Sequence, residues 1–289
     1  MISKEHKKHT DIARASYGSF SRNEWAFVGG QCNDIKSLAQ VIIDALSPNY
    51  QLAYVDSDHH IDEGNAETPQ NKGLPTVSYT KNVNSHQFNF LNELNPFQYR
   101  QLFNQADGVL INGNHFEAKN QVIIIDETKK KSLQKRLSQL TNVQLILLAG
   151  NSNEMFDFIK ESVPTYSNLP VYKLDETDKI VQFFKDKMKS AIPVLNGLVL
   201  AGGKSSRMGH DKGMIKWHSK EQQYYIADLM KNICNEVYIS CQPGQQIQEG
   251  YVALADTFTG LGPFGAILSA FREKPDVAWM VIACDLPLL

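Results

Sequence analysis

Apolar runs of strand length recur along the first two-thirds of the chain with polar, helix-compatible stretches between them: WAFVGG from Trp25, QLAYVD from Gln51, ADGVLING from Ala106, QVIIID from Gln121 and VQLILLAG from Val143. Several are apolar at successive positions, which suits strands buried on both faces. The alternation therefore predicts parallel sheets covered by helices. The segment ETDKIVQFFKDKMKSAI reads as a helix because Ile180, Phe183, Phe184 and Met188 share one face, and Pro193 then stops it. A polar stretch from Asp62 to Leu74 reads as a loop.

A second alternation follows. NGLVLAGG is a strand entering a glycine turn, HSKEQQYYIADLMKNI a helix, EVYISCQ a strand and AWMVIACDLP another strand. The boundary falls near Ala191, giving domains over 1–190 and 191–289.

Composition narrows the classes. The 289 residues are 42% hydrophobic and 21% charged, which suits a globular protein with a large core. Lys plus Arg number 29 against 31 Asp plus Glu, a net charge of -2, so the chain has no polycationic coat for nucleic acid. No run approaches the ~18 apolar residues of a membrane span, and the opening lacks the apolar centre of a signal peptide. A cytoplasmic protein without membrane or nucleic-acid partners is expected. Cys32, Cys234, Cys241 and Cys284 form no CxxC pair and read as reduced thiols.

The clearest chemistry lies in LVLAGGKSSRMGHDKGMIKW. A strand ends in Gly202 and Gly203, where missing side chains let backbone N–H groups approach phosphate oxygens. Lys204, Arg207 and Lys212 follow within nine residues, cations able to neutralise a triphosphate and a departing pyrophosphate. A Gly-Gly pair alone is an ordinary strand-to-helix turn; the combination is more specific. AWMVIACDLP ends in Asp285, where an open α/β sheet presents residues to its ligand crevice and a hard carboxylate can hold magnesium. Asp256, followed by Gly260 and Gly262, lies between them; alone it would be a turn, and Asp285 alone a solvated strand-end acid.

Taken together, LAGGKSSRMGHDKG, the stretch from Asp256 through GPFGAILSAF, and ACDLP resemble the molybdenum cofactor guanylyltransferases of the nucleotidyltransferase superfamily, in their order and at about their spacing, from Asn196 to Leu289. The resemblance implies an enzyme that joins GMP from GTP to molybdopterin, with Mg2+ as cofactor and pyrophosphate as product. Carried over by position, Leu200, Ala201, Gly202 and Gly203 would hold the guanine nucleotide. Lys212 would contact its phosphates and Arg207 would assist. Gln242 and Asp256 would contact the nucleotide, and Asp285 would bind the metal. The implied fold is two three-layer Rossmann-like α/β domains with mainly parallel sheets, the C-terminal one truncated, since family members continue for about another half-domain. A nucleotidyltransferase using CTP or a sugar phosphate is the alternative enzyme. A non-catalytic nucleotide- or cofactor-binding scaffold is the alternative from another class.

In the first domain, Gly30-Gln31-Cys32-Asn33-Asp34-Ile35-Lys36-Ser37 nearly fits the phosphate-binding loop GxxxxGK[ST]. Ile35 breaks it, because a β-branched residue resists the conformation and close phosphate approach of the second glycine. Nucleotide hydrolysis is not expected there. The layout from AFVGG through YVDSDHH, GVLINGNHF and VIIIDETKK resembles the accessory protein of molybdopterin-guanine dinucleotide synthesis, a phosphate-loop protein; a molybdoenzyme or cofactor-delivery protein would be its partner. His59, His60, His115, Asp56, Asp58 and Asn112 follow predicted strands and are expected to gather at a crevice beside Lys36, as an anion or metal site or as ordinary polar loop residues. The HKKH run at His6 to His9 reads as a solvated basic tail.

Overall fold

The computed structural model describes residues 15–57, 76–150, 152, 154–201, 215–216 and 218–286. The polar stretch from Asp62 to Leu74 and the HKKH run lie outside them. The chain divides into two compact units, Tyr17–Ala191 and Ile192–Leu289, the second also taking in residues up to Ser16.

The first unit runs β1 (Glu24–Val28), α1 (Cys32–Leu46), β2 (Leu52–Val55), β3 (Val77–Lys81), β4 (His86–Phe90), α2 (Pro96–Leu102), β5 (Gly108–Asn112), β6 (Asn120–Ile125), α3 (Lys130–Gln134), β7 (Val143–Leu148), α4 (Asp157–Ser162), β8 (Val171–Lys173) and α5 (Thr177–Ser190). Six strands form one sheet in the order β2-β5-β1-β6-β7-β8. Every pairing in it is parallel. Only the hairpin β3–β4 is antiparallel among the described strands.

Successive residues of a strand face opposite ways, so β1 sends Trp25 and Phe27 to one side and Ala26 and Val28 to the other. The first side packs on α1 and α5 through Ile35, Leu38, Ile42, Ile180, Phe184 and Met188. The other packs on Leu133 of α3 and Ile159 of α4. Both faces are therefore covered, which is why these strands read as continuous apolar runs.

Buried Glu24 opens β1, and four backbone N–H groups donate to its carboxylate: Ser19 at 3.1 Å, Phe20 at 2.7 Å, Ser21 at 3.0 Å and Lys119 at 2.8 Å. Fixed backbone dipoles thus converge on the buried carboxylate. This turn drops Phe20 between Tyr99, Phe103 and Phe116, with ring centroids 4.9, 5.8 and 5.8 Å away. Phe20 closes the sheet face at this end.

The second unit runs β9 (Leu195–Leu200), α6 (Gln222–Met230), β10 (Val237–Cys241), β11 (Val252–Ala255), α7 (Pro263–Glu273) and β12 (Ala278–Ala283). Its sheet has the order β11-β10-β9-β12, all parallel. Val199 and Ile239 meet Tyr224, Ala227 and Met230 on the α6 side, while Leu198 and Leu254 meet Ala270 of α7 on the other. The Ser16 backbone N–H donates to Asp276 Oδ1 at 2.9 Å within this unit. Both units are α/β layers on mostly parallel sheets, as the hydrophobic pattern predicts. The helix expected over 218–233 is shorter, beginning at Gln222 and ending at Met230.

Glu24 gives a direct test of the first unit. Glu24→Gln replaces an acceptor oxygen with an amide that faces N–H donors, so we expect a loss of about 3 kcal/mol in urea unfolding, with the m-value unchanged.

Candidate functional site

In the second unit the chain leaves β9 toward β10 and β11 on one side and returns to place β12 on the other, so the strand order reverses between β9 and β12. Open α/β sheets bind ligands outside the carboxyl ends of the strands at such a point. The β9–β12 register runs from Leu195 opposite Ala278 to Leu200 opposite Ala283, and the Cys284 backbone N–H donates to Leu200 O at 3.4 Å. Ala201, where the glycine turn starts, and Asp285 therefore emerge side by side. Gly202, Gly203, Lys204, Arg207 and Lys212 lie outside the described residues.

The other two expected residues emerge at the same edge. Gln242 follows β10, and its backbone N–H donates to Gln245 Oε1 at 3.0 Å. Asp256 follows β11, with its N–H donating to Cys241 O at 2.9 Å. Leu200, Ala201, Gln242, Asp256 and Asp285 thus line one edge. Three strand spacings separate the ends of β11 and β12, about 14 Å at the backbone, so Asp256 and Asp285 stand apart rather than as a pair.

The two acids differ in surroundings. Asp285 is exposed. Asp256 is half-buried, and its Oδ1 is buried with no hydrogen-bond partner among the described residues. Burial pushes its carboxyl above the ordinary aspartate value, and in turn burial, with Asp256 nearby, raises the Cys241 thiol. A desolvated acceptor at a ligand crevice is suited to a ligand hydroxyl or N–H donor.

Three residues that the sequence pattern did not single out hold this edge in place. Buried Ser269 of α7 accepts from the Thr257 N–H at 2.9 Å and donates to Gly265 O at 2.7 Å, fastening the loop after Asp256. A Cβ on Gly265 would lie 2.1 Å from Phe258 O, so glycine is what lets that loop lie against α7. Buried Gln222 donates from Nε2 to Leu286 O at 2.9 Å and so ties α6 to the segment just past Asp285. A polar residue inside a helix carries no sequence signal of such a role, whereas the second glycine of GPFG does.

Residues 197–289 match the model of the MobA-like NTP transferase domain family. The second unit carries a MobA-like NTP transferase domain.

Among curated proteins, the chain is similar to the molybdenum cofactor biosynthesis bifunctional protein of Synechocystis sp., 42% identical over 95 residues that make up 32% of this chain and 27% of that protein. It is also similar to the molybdenum cofactor guanylyltransferases of Pseudomonas entomophila, at 29% identity covering 35% of this chain and 56% of that one, and of Xanthomonas euvesicatoria, at 35% identity covering 32% and 48%. The chain thus spans between about a quarter and a little over half of these relatives. Among solved structures, a MobB protein homologue from Bacillus stearothermophilus covers 58% of this chain and 99% of its own at 15% identity, with a TM-score of 0.40, too low to carry a functional argument.

In the first unit, the phosphate-loop position is occupied differently. Only Gly29, Gly30 and Gln31 link β1 to α1, and α1 already begins at Cys32. Ile35, at the motif's second-glycine position, is fully buried on the core side of α1 beside Leu38 and Ile42. The residues that would wrap a phosphate are therefore turns of helix. The two glycines serve packing: Gly29 has φ +101°, and a Cβ there would lie 2.7 Å from Ile124 O, while one on Gly30 would lie 2.8 Å from Ile124 Cδ1. Of the expected crevice residues, Asp56, Asn112 and His115 come together, Asn112 Nδ2 donating to Asp56 Oδ1 at 2.8 Å and His115 Nε2 lying 4.0 Å from that oxygen. Asp58, His59 and His60 lie outside the described residues, and Lys36 is on the exposed side of α1.

Asp256 yields a signed prediction. A carboxyl raised in the folded state binds protons more readily folded than unfolded, so ligand-free stability falls as pH rises from the ordinary aspartate value of about 4 through the raised one. Asp256→Asn should raise the Tm at pH 7 by on the order of 2 °C, with the gain vanishing near pH 3, while weakening nucleotide binding. Thermal scans across pH check it.

Proposed function

We propose that the second unit transfers GMP from GTP to molybdopterin with release of pyrophosphate. The observation that carries this is the β9–β12 register, which brings Ala201 at the end of β9 beside Asp285 at the switch point of a sheet within a MobA-like NTP transferase domain. The names of the molybdenum cofactor guanylyltransferases it resembles support guanine and molybdopterin over other nucleotides and acceptors.

In this reading Leu200, Ala201, Gly202 and Gly203 seat the nucleotide against backbone N–H groups, Lys212 contacts its phosphates and Arg207 assists. Gln242 orients it, and the desolvated Asp256 Oδ1 accepts a hydrogen bond from it. The molybdopterin phosphate attacks the α-phosphorus while Lys212 and Arg207 offset charge building on the pyrophosphate, so catalysis is positioning and electrostatics. The donor set fits magnesium: that ion is held by one or two carboxylates with phosphates and waters rather than by a protein cage. Asp285 is such a carboxylate, and no group of three or more His, Cys, Asp or Glu side chains forms a metal cage among the described residues. Mg2+ on Asp285 would supply further neutralisation of the phosphates.

We place the protein in the cytoplasm, on the support of four cysteines that form no disulfide among the described residues. No helix among the described residues is long and apolar enough to cross a membrane. The first unit acts in this scheme as an accessory that meets a molybdoenzyme or cofactor-delivery partner.

The test is pyrophosphate release with molybdopterin, Mg2+ and GTP, CTP or ATP in turn. GTP-selective release, lowered about a hundredfold or more by Asp285→Ala, is the expected result. CTP selectivity would reassign the enzyme to a cytidylyl-transferring branch, and absence of turnover in folded protein would leave nucleotide binding without transfer.

A further inference from the structure

At the carboxyl edge of the first unit's sheet, Cys32 is the first residue of the 15-residue helix α1 and is only partly buried. Its Sγ lies 3.5 Å from His115 Nε2, and that nitrogen lies 4.0 Å from Asp56 Oδ1. A sulfur nucleophile and a carboxylate thus both face one imidazole nitrogen, a base that the acid can stabilise once it is charged.

The arrangement is held rather than accidental. Asn114 accepts from the Gly29 N–H at 3.2 Å and donates to Gly30 O at 2.9 Å, which pins the turn that delivers Cys32. Arg136 donates to Asn114 O at 2.8 Å and anchors the segment carrying His115. Asp56 accepts from Tyr54 Oη at 2.7 Å, from Asn112 Nδ2 and from the Ser57 N–H at 2.8 Å. Burial and the neighbouring Asp56 raise the Tyr54 phenol far above its ordinary value, so Tyr54 stays a neutral donor. Asp56 and the turn that delivers Cys32 are thus each held by another element of the fold.

We propose that Cys32 is a peroxide-reactive thiol for which His115 is the base and Asp56 the acid that stabilises the imidazole once it is charged. As Sγ attacks one oxygen of a hydroperoxide, the S–O bond forms and the O–O bond breaks. The thiol proton passes to His115 Nε2 and then to the departing alkoxide or hydroxide. Sulfur is oxidised by two electrons and the peroxide is reduced to an alcohol or water, leaving a sulfenic acid. The N–H groups at the start of α1 favour negative charge as it develops on sulfur. Cys32 is only partly buried, and the side chains of His115 and Asp56 are 16% and 26% exposed. Cys234, Cys241 and Cys284 are buried in the other unit, so the sulfenic acid has no thiol in its own unit with which to condense.

The test is hydrogen peroxide on the full chain with dimedone as the trap, each cysteine followed by peptide mass spectrometry, in native buffer and in denaturing urea. Exposure alone would make Cys32 react fastest in the unfolded chain. The proposal expects native Cys32 to be trapped about tenfold or more faster than unfolded Cys32, with His115→Gln removing the advantage and Asp56→Asn reducing it in part. A native rate equal to or below the unfolded rate overturns it, and that comparison needs no variant. A His115→Gln protein with native circular dichroism and the wild-type rate overturns it as well.

Discussion

The parallel pairing of β12 with β9 governs what the second unit can do. Six consecutive residue pairs fix the register, and a slip of one position would turn Asp285 to the other face and move it along the edge from Ala201. Because a parallel neighbour must be reached by a crossover, α7 and the loop after Asp256 are carried over the sheet as a consequence, and Ser269 and Gly265 then hold that loop against the helix. The placing of Ala201, half-buried Asp256 and exposed Asp285 on one edge is thus the product of one strand order.

The strands of both sheets were legible wherever burial on both faces left a continuous apolar run, as in β1, β5, β6, β7 and β9. The hairpin β3–β4 was not, because nearly every residue in it is exposed and no face imposes a pattern. β11 buries only Leu254 and was silent for the same reason. At the second unit's edge, Asp285 drew notice because it ends a legible apolar strand, and Asp256 because glycines follow it in the stretch that carries the family resemblance. Gln222 and Ser269 could not, since their roles depend on which backbone groups the fold brings within reach.

Each unit has a Gly-Gly pair after its first strand. In the first, at the carboxyl edge of the sheet, that pair serves contact with Ile124 rather than openness to a ligand. What lies at that edge is a thiol, an imidazole and a carboxylate, chemistry suited to electrophiles and not to phosphates. A motif that nearly fits phosphate binding is then better understood through the side chains that occupy the space.

Ile35 shows how settled that change is. It sits in the fully buried interior of the first unit, wedged among Leu38, Ile42 and the strand residues opposite. Replacing it by the glycine a phosphate loop requires would both empty a core site and loosen a helix, at a cost of about 4 kcal/mol or more, a large share of a domain's stability. The sequence stands one residue away from the motif, yet the fold stands a whole helix turn and a packed core away from it. A phosphate loop at this position would therefore require the core around α1 to be rebuilt, not one side chain exchanged.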